Sequence, residues 1–134
     1  MKHNSALTVV SLLSIILLSL HMTDDIVYGS DSPAITSIVI VAILVIWLFG
    51  VLVLAGRRSG YVIMLLGSLA GIVVFSVHAS RSGGLGAGTL AASSGAFFFV
   101  WTLLALAVTS IFSAILAALG LWTLQRSKPP VPSQ

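Results

Sequence analysis

His21, Asp24 and Asp25 fall within the five residues His21-Met22-Thr23-Asp24-Asp25, and a second imidazole, His78, stands far downstream. The five-residue stretch holds two of the chain's three carboxylates and one of its three histidines, at the end of an apolar run. Ionisable groups at membrane depth are costly, and their default reading is functional. Two imidazoles with one or two carboxylates make a donor set for Zn²⁺ or a similar divalent ion, or a proton relay. Histidines on two helices at one depth also suit axial ligation of haem. The plainer reading of Asp24 and Asp25 is an exposed acidic cap that keeps the first loop in water. Helix-dipole stabilisation does not explain them, since a helix C-terminus favours cations. Catalytic groups are few, so no residue is assigned a catalytic role and a non-enzymatic protein is expected.

These groups sit in an unusually apolar chain. Of its 134 residues 58% are hydrophobic and 7% charged, with a mean hydropathy of +1.18, whereas soluble domains carry about 25% charged residues. The net charge of +3 does not imply a nucleic-acid partner, because the cations lie scattered at the ends of apolar runs and form no basic face. Without cysteine, disulfides, thiolate metal sites and dithiol chemistry are excluded.

The elements that must position the ionisable groups are four apolar runs, near 5–23, 34–55, 61–79 and 95–124, each long enough for a spanning helix. They predict an all-α membrane protein, a four-transmembrane-helix bundle forming one domain over 1–126, with a disordered, proline-rich tail at 127–134. A cleaved signal peptide competes for the first run, with Val27-x-Gly29 before Ser30 as its cleavage pattern. The run's polar content argues against it: Thr8, Ser11, Ser14, Leu18, His21 and Asp25 recur at three or four residues and share one helical face.

Tyr28 to Pro33 reads as a loop, with Ser32 capping the second span and Pro33 at its first position. Gly56 to Gly60 reads as a tight turn, with Ser59 capping the third span. That span carries Gly67-x-x-x-Gly71, a close-packing spacing, and the same face continues through Val74 to His78. Ser80 to Ser94 reads as a flexible loop. In the last span Ala105, Thr109, Ser113 and Ala117 form a small-residue stripe. Trp101 and Trp122 lie about 31 Å apart at the helical rise, which matches an aromatic belt on each side of a bilayer. Trp47, in mid-span, is assigned no role.

Four spans put both termini on one side. Lys2, Arg57, Arg58, Arg126 and Lys128 share that side and only Arg81 lies opposite, so both termini are expected in the cytoplasm and the protein in the inner cell membrane. All three carboxylates, with His21 and His78, then fall at the external boundary. His21 is expected to meet His78, with Asp24 or Asp25 nearby, if the first helix turns its polar face to the third. Four short spans resemble small multidrug-resistance exporters in size alone, since those rely on a glutamate in the first helix and this chain has none. The partners expected are the lipid bilayer and either a second copy or another membrane subunit. The leading expectation is action through helix packing, as a homo-oligomer or accessory subunit. The alternative is a small ion- or proton-handling transporter, or a metal- or haem-binding protein, using the His/Asp cluster.

Overall fold

A computed structural model of the chain describes residues 2–27, 34–80 and 96–126, with no side-chain description at 2–3, 24–27, 34–37 and 96, Asp24 and Asp25 among them. The expected loop at 28–33 with the Gly29 cleavage site, the part of the expected 80–94 loop beyond Ser80 with Arg81, and the tail from 127 with Lys128 lie outside the described residues, while Ser80 itself is helical. The described residues form four helices and no strand: α1 (Lys2–Val27), α2 (Ala34–Leu52), α3 (Arg58–Ser80) and α4 (Ala96–Arg126). Three segments, Asn4–Thr23, Arg58–Ser80 and Phe97–Arg126, are long and apolar enough to cross a membrane. The shorter stretch Ile38–Leu52 of α2 is also apolar.

The turn between α2 and α3 differs from the sequence expectation. The α2 helix stops at Leu52 instead of Ala55, and α3 starts at Arg58, before Ser59 and Tyr61. The reversal occupies residues 53–57 and pivots on Gly56, whose φ of 78° is left-handed and favours a residue without Cβ. The Arg57 N–H donates to Leu54 O at 3.0 Å and Tyr61 N–H donates to Arg57 O at 3.1 Å. Arg57 therefore supplies the first carbonyl acceptor of α3, and Ser59 lies inside the helix it was expected to cap.

The α4 helix is the central element, packing chiefly on α3 and on α1, while α2 lies mainly against α3. The buried side of α4 runs through Phe99, Leu103, Leu106, Ser110, Ser113, Ala117 and Gly120. Its steps alternate between three and four because a strict four-residue step drifts by about 40° in a helix of 3.6 residues per turn. Of the expected four-residue stripe, Ser113 and Ala117 are buried, whereas Ala105 and Thr109 lie half-buried at its border.

Small residues let these helices close on one another. A Cβ on Gly67 would fall inside the Trp47 indole of α2, and one on Gly71 would strike Ser110 Oγ of α4. The two glycines thus serve different neighbours. Gly120 in turn admits the ring of Tyr61, whose hydroxyl donates to Asn4 Oδ1. The outward surface is apolar along its length, from Val9 and Ile16 through Ile38 and Val45 to Phe112 and Leu119.

Candidate functional site

The predicted polar face of α1 is turned inward. Ser11, Ser14, Leu18 and His21 are all buried, beside Leu7 and Ile15, because unpaired hydroxyl and imidazole groups facing hydrocarbon would each cost several kcal/mol. The face meets α4: Ser11 Oγ and Ser113 Oγ share a hydrogen bond of 2.7 Å. Other interior hydroxyls donate back along their own helices, Ser14 to Val10 O at 3.0 Å and Ser68 to Met64 O at 2.6 Å. Such back-bonding lets hydroxyls sit at membrane depth. Ser110 Oγ and Trp47 Nε1 are buried without a hydrogen-bond partner among the described residues.

One turn beyond Leu18 the imidazole of His21, 0% exposed, reaches that of His78. The ring centroids are 4.8 Å apart and the planes stand at 81°, an edge-to-face contact. Phe99 of α4 completes the cluster, 4.8 Å from His21 and 5.8 Å from His78. The condition set on the sequence, that α1 turn its polar face to α3, was too narrow. That face turns to α4, and His78 still arrives because α3 packs on the same α4.

The His78 ring is held by its own helix. Nδ1 lies 2.9 Å from Val74 O, and since a carbonyl only accepts, Nδ1 carries the proton. The lone pair of the neutral ring is then on Nε2. Asp24 and Asp25 follow His21 on the continuing α1 helix, but their side chains lie outside the described residues. Among the described residues no group of three or more His, Cys, Asp or Glu stands together as a ready metal cage.

Two residues of this region escaped the sequence reading. Phe99 was not singled out, although Phe97-Phe98-Phe99 at the start of the last span lies at the depth of both histidines. Trp47 is 1% exposed, its indole lodged on Gly67. The spacing of Gly67 and Gly71 signalled a close approach without saying to what. At the opposite end Tyr61 bridges Asn4 and Gly120, and Arg126 lies over the Trp122 ring at 4.8 Å. The described arginines, Arg57, Arg58 and Arg126, are therefore at one end of the helices and the imidazole pair at the other. No protein family, curated protein or solved structure matches the chain.

Proposed function

We propose that the chain is a four-span protein of the inner cell membrane, with both termini in the cytoplasm and an ion-handling site on His21 and His78 at the external boundary. The observation that carries this reading is the fully buried His21 ring in edge contact with His78. Two ionisable groups from separate helices, brought together where burial is costly, have no packing purpose that Leu or Phe would not serve better. The arginines at the far end favour a cytoplasmic position for that end. Trp101 and Trp122, 61% and 57% exposed, suit the two interfaces of a bilayer. With 19 residues, α2 is long enough to serve as the remaining span.

The oligomer or accessory-subunit reading has less support. Of Gly67, Gly71, Ala105, Thr109, Ser113 and Ala117, from which it was argued, Ala105 and Thr109 are half-buried and the other four are buried within the chain, and the exposed apolar side chains are those that lipid covers. The ion-handling reading is tested in proteoliposomes by following dissipation of an imposed H⁺ or Zn²⁺ gradient. Wild type is expected to dissipate one of them, and His21→Phe and His78→Phe, which keep an aromatic ring in each position, to slow that flux at least tenfold. No flux in wild type, or equal flux in the variants, overturns the reading.

A further inference from the structure

We infer that the ion received by the imidazole pair is a divalent transition-metal ion of the zinc class, bound between one ring nitrogen of His21 and Nε2 of His78. This rests on the ion-handling reading of the same pair and names its ligand. Three observations carry it.

The first is the separation of the rings. Two imidazoles sharing a tetrahedral ion at ~2.0–2.1 Å per nitrogen place their centroids about 5 Å apart, whereas two on opposite sides of one metal lie about 6.4 Å apart. The observed 4.8 Å admits the bent arrangement and excludes the opposed one; it is also the separation of His21 from Phe99, so the distance sets the geometry an ion must adopt and does not itself select a metal. It leaves no space for a porphyrin plane between the rings, so the pair does not suit bis-imidazole haem ligation in this geometry.

The second is the orientation of His78. Metal-bound histidines nearly always donate their other ring N–H to a carbonyl or carboxylate, which fixes the tautomer and aims the lone pair. The Nδ1–H of His78 does this to Val74 O at 2.9 Å, and its i−4 origin within α3 means the ring is held whether or not an ion is present.

The third is donor chemistry. Imidazole suits Zn²⁺, Cu²⁺ and Ni²⁺, while Ca²⁺ and Mg²⁺ require oxygen shells. The adjacent thioether, Met22, packs against the apolar core and does not soften the site. Two imidazoles leave the remaining positions of the ion to water.

The test uses the full chain in detergent, purified through a tag without histidine and carrying His3→Ala, since His3 lies at the far end of α1. Equilibrium binding of Zn²⁺ is expected to give one ion per chain. His21→Phe and His78→Phe should each weaken it by more than the roughly 10–100-fold that loss of an orienting partner alone costs. With Cu²⁺ as a spectroscopic probe, electron paramagnetic resonance should show coupling to two imidazole nitrogens in the parent and to one in either variant. Circular dichroism identifies a variant that has lost its helices, and His21→Gln and His78→Gln then replace it. Absence of Zn²⁺ binding, or binding unchanged in both histidine variants, overturns the metal assignment. If His-dependent proton flux persists in that case, the ion-handling reading stands without the metal; if it is also absent, both fall.

Discussion

At the scale of single residues, the contacts that close the interior make distinct demands. Gly67 lies under the Trp47 indole with no space for a methyl group. Gly67→Ala is therefore expected to destabilise the fold by about 1–3 kcal/mol, the usual cost of overpacking, measured by unfolding in mixed detergent micelles. Stability equal to wild type would mean that Trp47 is not seated there. The Ser11–Ser113 hydrogen bond is a separate case, because interhelical hydrogen bonds in membranes contribute about 0.6 kcal/mol on average and at most about 1.7. A double-mutant cycle of Ser11→Ala and Ser113→Ala should return a coupling energy in that range, and a coupling of zero would separate the two hydroxyls. The inward placement of His21 was legible because it continues a face already carrying Ser11 and Ser14, all three of which are buried. Phe99 was not, because aromatic residues at a span boundary are common and nothing in their spacing selects the one that touches a histidine.

At the scale of elements, the turn joining α2 to α3 shows where local chemistry outweighs hydropathy. The apolar run continues through Val53, Leu54 and Ala55, yet the helix ends at Leu52 because the left-handed Gly56 must be reached within a short reversal. Gly56→Ala is expected to cost about 1–2 kcal/mol, the penalty of placing Cβ in that conformation, again read from detergent unfolding. No loss would place the pivot elsewhere. Helix existence and the inward face of α1 were readable from length and period. Pairing was not, since periodicity identifies which face is buried without naming the helix that buries it. The stripe of α4 illustrates the limit: residues four apart drift around the helix, so Ala105 and Thr109 lie at the edge of a seam that Ser113 and Ala117 occupy fully.

At the scale of the whole molecule, the arrangement separates a basic end from an imidazole end, with apolar layers between. Leu18, Leu103 and Leu106, each at most 3% exposed, lie inward of the histidine pair and fill the space between it and the basic end. Placement in the membrane is checked by cysteine labelling on this cysteine-free chain. Arg58→Cys is expected to be shielded from an impermeant external reagent and Leu85→Cys to react, and the reverse pattern would put the imidazole pair on the cytoplasmic side. The central claim, that His21 and His78 meet across α1 and α3, is tested most directly by cross-linking. In intact membranes, the double variant His21→Cys/His78→Cys treated with a short bifunctional thiol reagent should give an internally linked monomer, as should the Ser11→Cys/Ser113→Cys control, while His21→Cys/Tyr61→Cys should not. Linkage of the serine-derived control without linkage of the 21/78 pair would contradict the account.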